Sequence, residues 1–260
     1  MGSLNIKTMS EWSNEGKIPE ILFWVGSAGS FDDRAIKITR AFVKILNSAD
    51  VSFGVLGIEE SASGDIAKRA GNEFLFQMQA LMNIEIMNAY NIKRIVTTCP
   101  HDFNTIKNEY KGLGGNYEVF HHTEFIFDLI RSKRLIVKDN FKSQNVTYHD
   151  PCYLGRGNNI FEKPRLLLKE IGLDLVEMSR NKRNSFCCGA GGAQMFKEPE
   201  KGNQDININR TIEALNTKAQ IIATGCPFCN TMLTDGVKNV KENSAEVLDI
   251  AELIVRSENL

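Results

Sequence analysis

Apolar runs rich in Val, Ile, Phe and Tyr alternate along the chain with stretches whose apolar positions recur at helical spacing. The runs predict strands near 21–26 (ILFWVG), 51–57 (VSFGVLG), 94–99 (RIVTTC), 117–121 (YEVFH), 145–149 (NVTYH), 173–178 (LDLVEM), 221–226 (IIATGC) and 246–250 (EVLDI). The clearest helices fall at 33–48, 73–90, 101–110, 123–133, 161–171, 205–218, 228–241 and 251–257, each with an apolar stripe and a polar remainder. Strands that alternate with helices in this way predict an α/β protein with mostly parallel sheets. In the helix 73–90 the apolar positions 74, 75, 78, 81, 82, 84 and 86 run round much of the circumference. That distribution favours burial in a core over the other reading, a Met-rich docking surface.

The order β-α-β-α-β-α-β-α occurs twice. Sliding the first half by about 125 residues lays Arg40 and Lys44 on Arg165 and Lys169, CPHDFNT (99–105) on CPFCNTM (226–232), and Glu124 near Glu252. The expectation is therefore two tandem repeated βα domains, at 21–140 and 141–260, after an N-terminal extension at 1–20. Weak self-similarity is common to all α/β proteins, and the cysteines decide against that explanation. Cys152 and Cys187 are 35 positions apart, Cys188 and Cys226 are 38 apart, and Cys229 follows Cys226 by three. Ser27, Ala62, Cys99 and Asp102 stand in the corresponding first-half places, 35, 37 and three apart. The first half reads as a copy of a cysteine site that has lost its ligands.

Composition narrows the chemistry. The chain has 260 residues, 42% hydrophobic and 24% charged, enough for one large core or two ordinary domains. Lys plus Arg (31) nearly balances Asp plus Glu (32), which leaves no net field to hold nucleic acid or an anionic membrane. No apolar run approaches bilayer length and the first residues show no signal-peptide pattern, so the expected location is the cytoplasm, without membrane insertion. In that reducing compartment structural disulfides are rare, and six cysteines, five of them from Cys152 onward, call for metal binding or redox chemistry.

All five second-half cysteines fall beyond predicted strand ends, the crevice in which open parallel sheets bind ligands. Gly189, Gly191 and Gly192 allow the chain after Cys188 to turn tightly. Pro227 is placed to start a helix whose free N–H groups point at anionic sulfur. Thiolates suit zinc as well as iron-sulfur clusters, and Cys226-x-x-Cys229 fits both. The adjacent pair Cys187–Cys188 favours a cluster, since a tetrahedral zinc site takes four ligands and rarely uses neighbours. His149 and Asp150 are candidates for supporting the ligands or donating a proton, against the plainer reading of packed side chains. Arg156, between Gly155 and Gly157, is a candidate to meet an anionic substrate, against the plainer reading of a solvated Arg. For His121 and His122 a metal role is the lesser reading.

HDPCYLGR (149–156), FCCGAGG (186–192) and GCPFCN (225–230) resemble the CX(n)CCG(X)nCXXC signature of the cysteine-rich CCG family, which includes heterodisulfide reductase B and D subunits. The resemblance extends to FWVGSAGSFDDR (23–34), EESASGD (59–65), TTCPHDFNT (97–105) and GGNYEVFHHTE (114–124). It implies one [4Fe-4S] cluster, of the noncubane kind, held by Cys152, Cys187, Cys188, Cys226 and Cys229. Family members generally carry cysteines where Ser27, Ala62 and Asp102 stand here, and one thiolate with two oxygens is a poor soft-metal site, so the first half is expected to be empty. No G-x-G-x-x-G turn and no ferredoxin-type four-cysteine run is present, so electrons must come from a partner with flavin or iron-sulfur centres; the resemblance implies a membrane-associated iron-sulfur subunit, an electron-transferring flavoprotein or a flavin dehydrogenase. The expected role is that of an oxidoreductase subunit acting on a disulfide or a quinone. A metal-stabilised scaffold is the alternative.

Overall fold

The structure is a computed structural model that describes residues 4–198, 201–258 and 260. Its strands are β1 (Lys7–Thr8), β2 (Ile21–Trp24), β3 (Phe53–Val55), β4 (Arg94–Thr97), β5 (Glu118–His121), β6 (Gln144–His149), β7 (Leu173–Leu175), β8 (Ile221–Thr224) and β9 (Glu246–Asp249). They form two sheets, β1-β3-β2-β4-β5 and β7-β6-β8-β9, and every pairing in both is parallel. Leaving β1 aside, the two sheets share one order, with the first strand of each half second in its sheet and the third and fourth following. Two βα units of one topology thus answer the repeat read from the sequence. β2 and β8 are buried at every position, as expected for strands covered by helices on both faces.

The halves meet through helices. Asp33–Ser48 of the first packs on Ile250–Glu258 of the second, and His122–Arg131 of the first packs on Glu162–Glu170 of the second. One apolar core runs through this junction, from Phe42, Ile45 and Leu46 to Leu167, Leu253 and Ile254. Glu124 and Glu252, aligned by the repeat, each accept a cation from the other half. Lys163 lies 3.5 Å from Glu124, and Arg34 grips Glu252 with two bonds of 2.6 and 2.8 Å.

Several local expectations change. Within 1–20, Lys7–Thr8 adds an edge strand to β3, and Met9 and Trp12 seat against Gly54, where a Cβ would meet Met9 Sδ at 2.5 Å. Two residues are too few to show a period, so the sequence pattern is silent there. The expected helix 101–110 is a short α-helix, Pro100–Asn104, followed by a π turn over Thr105–Glu109 and a 3₁₀ turn over Tyr110–Leu113. The Gly-rich segment after Cys152 is a helical turn, Gly155–Asn158, and no free loop.

The helix Glu73–Ala89 corrects the expectation of all-round burial. Phe76, Ala80, Asn83, Ile84 and Met87 face inward, while Phe74 is 75% exposed and Leu75, Met78, Leu81 and Met82 are 40–52% exposed. The apolar residues serve two opposite faces, and among the described residues nothing covers the outer one. No helix of the described residues is long and apolar enough to cross a membrane.

Candidate metal centre

The second-half cysteines converge beyond the carboxyl ends of β6 and β8. Cys152 lies in the turn three residues after β6, and Cys226 caps the helix Pro227–Lys241 two residues after β8. Cys187 and Cys188 arrive on the long segment after β7, where Gly189 takes a positive φ of 93°. Cys188, Cys226 and Cys229 are buried in one cluster with Ala190, and Cys152 and Cys187 are part-exposed. Cys188 and Cys229 place their Sγ atoms 3.2 Å apart. The sulfurs of these two and a ring nitrogen of His149 all lie within 4.8 Å of one another.

The electrostatics of the nest follow from crowding. Hydrogen bonds to the neighbouring sulfurs hold the Cys187 thiol well below its ordinary range, and the Gly189 N–H at 3.2 Å adds to this. Burial pushes the Cys226 thiol up, but the Cys229 thiol, His101 and the first N–H groups of its helix outweigh it and leave it lowered. Cys152, Cys188 and Cys229 are pushed up, because several thiolates cannot ionise side by side without a cation. Five soft donors, some poised to ionise and the rest waiting for positive charge, form a donor set that fits a multi-iron cluster. It offers more thiolates than a tetrahedral zinc ion uses.

His149 is fully buried, and Arg210 Nε donates to its Nδ1 at 3.0 Å. Burial and that guanidinium push the imidazole down to about 3, so the ring is neutral and carries its proton on Nε2. Arg210 itself is fully buried, and it also bonds the Arg180 carbonyl, Glu213 and Ser185 Oγ. Sequence reading did not single it out. The signal available was an Arg inside the otherwise amphipathic helix Ile206–Asn216. Asp150 is taken up by structure: Arg165 grips it at 2.7 and 2.9 Å, and it accepts the Lys182 N–H at 2.7 Å. It thereby ties the Cys152 turn to the segment carrying Cys187 and Cys188. Arg156 donates to the Ser185 carbonyl and, with Arg183, Phe186 and Cys187, lines an opening of about 500 Å³.

The first half gathers its aligned residues too. Ser27, Ala62 and Asp102 line one cavity of about 390 Å³, with Cys99 buried nearby. Asp102 accepts from Ser63 Oγ, and burial pushes its carboxyl up to about 6. Glu60 accepts the Val25 and Gly26 N–H groups, yet burial still pushes it up to about 8. His101 Nδ1–H donates to the Asp65 carboxylate at 2.9 Å; burial pushes the ring down, and that carboxylate more than restores it. Cys99 is pushed well up by burial and by Asp102. His101 and Phe228, which share one position in the repeat, meet edge to face at 5.4 Å across the junction. His121 and His122 are buried and join no metal-binding group among the described residues: His122 bonds Asp249 and His121 bonds Thr123.

Residues 146–234 match the model of a cysteine-rich domain, CCG. The chain is 46% identical over 254 residues to a probable iron-sulfur-binding oxidoreductase, FadF, of Bacillus subtilis, covering 97% of this chain and 36% of that protein. It is 43% identical over 247 residues to an EtfAB:quinone oxidoreductase of Syntrophomonas wolfei, covering 92% of this chain and 34% of that protein. It is 31% identical over 245 residues to one of the subunits of the dihydromethanophenazine:CoB--CoM heterodisulfide reductase of Methanosarcina barkeri, covering 92% of this chain and 59% of that protein. The chain thus spans between a third and three fifths of the length of these relatives. With the cysteine nest built on the matched segment, and relatives named for iron-sulfur redox proteins, the chain carries a cysteine-rich CCG domain over residues 146–234.

Proposed function

We propose that this chain holds one [4Fe-4S]-type cluster, of the noncubane kind, through Cys152, Cys187, Cys188, Cys226 and Cys229, and passes electrons between a flavin or iron-sulfur partner and an acceptor such as a disulfide or quinone. The observation that carries the reading is the gathering of five thiols in the second half, against Ser27, Ala62, Cys99 and Asp102 in the first. A cluster held there supplies one-electron transfer. The names of the relatives, an oxidoreductase acting on quinone and a heterodisulfide reductase subunit among them, support the same class of chemistry.

The chain's own residues then divide the work. Helix N–H groups and the Gly189 N–H favour anionic sulfur, and buried Arg210 adds a positive charge behind neutral His149, whose ring reaches within 4.8 Å of the Cys188 and Cys229 sulfurs. Part-exposed Cys187 opens toward Arg156 and Arg183, a basic rim that suits an anionic substrate or an acidic partner surface. The first half holds no cluster in this reading, and a membrane is reached through the partner.

Anaerobic preparation followed by iron, acid-labile sulfide and zinc analysis and a redox titration tests the proposal. The expected result is about four iron and as many sulfides per chain, with a reversible one-electron couple. Stoichiometric zinc without sulfide, or iron that does not titrate, would replace it with a metal-stabilised scaffold.

A further inference from the structure

The first-half cavity is more than a relic. Ala62, Ile66, Ala67, Ala70, Leu75 and Phe228 give it apolar walls; of its polar lining groups Ser63, Asp65, His101 and Asp102 are buried, Gln79 is half-buried, and Ser27 and Asn72 are exposed. His101 is fixed from behind by Asp65, and among the described residues its Nε2 has no hydrogen-bond partner. The same ring touches the second half, lying against Phe228, between Cys226 and Cys229, and against Tyr153, beside Cys152. A Cβ on Gly191 would stand 3.8 Å from its Cε1.

At the mouth, Leu75 belongs both to the cavity and to the exposed apolar stripe Phe74, Leu75, Met78, Leu81 and Met82. Cations near the mouth are already engaged, Arg69 with Asp65 and Glu109, and Lys68 with Glu109. A phosphate-bearing nucleotide or an anionic disulfide therefore finds no free positive charge among the lining residues, which contain no Lys or Arg. A neutral planar ring with carbonyl oxygens and an apolar tail fits each part.

We propose that this cavity binds a quinone-class ligand, its ring between Phe228, Ala62 and His101, a hydroxyl of its reduced, quinol form donating to His101 Nε2, and its tail along the stripe from Leu75 to Met82. The inference deepens the proposed function by giving its acceptor a site beside the cysteine nest, lined by none of the residues of the Arg156 opening. Its use rests on that reading. Its binding test does not.

The test is binding of menadione and of a decyl-substituted benzoquinone to the full chain, by equilibrium dialysis and by quenching of buried Trp24, which lies beside Gly26 and Asp102 at the cavity. Saturable binding with one site per chain is expected. Leu75→Arg, at an exposed position where folding is not at stake, should weaken both ligands at least tenfold. Met78→Asp with Met82→Asp should weaken the decyl compound at least fivefold and leave menadione within twofold. His101→Phe should weaken menadiol, the reduced form of menadione kept under anaerobic conditions, and Arg156→Ala should change none of these ligands. The same binding by Cys188→Ser protein depleted of iron would keep the cavity assignment whatever becomes of the cluster. Unsaturable binding, or affinities that Leu75→Arg leaves unchanged, overturns it.

Discussion

Arg165→Met is the sharpest test of how the cysteine-bearing segments are held in register. Arg165 is 8% exposed, and its guanidinium meets Asp150 at 2.7 and 2.9 Å, Glu177 at 2.6 and 3.0 Å, and the Phe161 carbonyl at 2.8 Å. Charge centres about 4 Å apart attract by about 4 kcal/mol at an effective dielectric constant near 20. Removing one partner of such a buried pair typically costs about 3–5 kcal/mol, because the other is left charged and dry. Glu177 can turn to water, but Asp150, 2% exposed, cannot. Met keeps most of the apolar stem, so the cavity contribution is small. Urea unfolding followed by circular dichroism on metal-free protein should therefore show a loss of about 3–5 kcal/mol. Because Asp150 also accepts the Lys182 N–H, the loaded variant should release its metal faster to a chelator. Adding Asp150→Asn removes the stranded charge, so the double variant should lose at least about 1 kcal/mol less than the sum of the single losses. A single-variant loss below about 1 kcal/mol, or strict additivity, refutes the argument.

Cys188→Ser should deplete iron while Cys99→Ser leaves it nearly unchanged, because Ser27, Ala62 and Asp102 cannot complete a soft site around Cys99; equal loss of iron in both contradicts the proposed ligand set. Glu60, with its folded pKa raised to about 8 against an ordinary value of 4.5, opposes folding increasingly as pH rises through that window. Glu60→Gln should accordingly stabilise by about 2 kcal/mol at pH 8, discounted for partial solvent access, and by nothing below pH 4, as read from urea midpoints across pH. Arg210→Met, in protein that retains its iron, should lower the midpoint potential by on the order of 50 mV, since a buried positive charge favours the reduced form; an unchanged potential removes Arg210 from the electrostatics of the site.

The amino-acid sequence by itself determined the strand and helix succession, the repeat, and the grouping of five cysteines beyond strand ends. Each of these is written in local periods or in spacing, and β2, β6, β8 and the helices Asp33–Ser48 and Pro227–Lys241 lie where the pattern put them. Tertiary structure decided what local pattern cannot carry. Arg210 reaches His149 across 61 positions, and Asp65 reaches His101 across 36. No period marks such pairs, because a buried polar contact depends on which helices pack together and at what height. The helix Glu73–Ala89 shows the same limit from the other side. Its apolar residues are plain in the sequence, but only packing assigned Phe76, Ile84 and Met87 to the core and left Phe74, Met78 and Leu81 outside. Burial belongs to a face and its cover, and the cover comes from residues distant in the chain. For the same reason the first half, which reads as a site stripped of ligands, becomes a lined cavity only when folding brings Phe228 of the second half against His101.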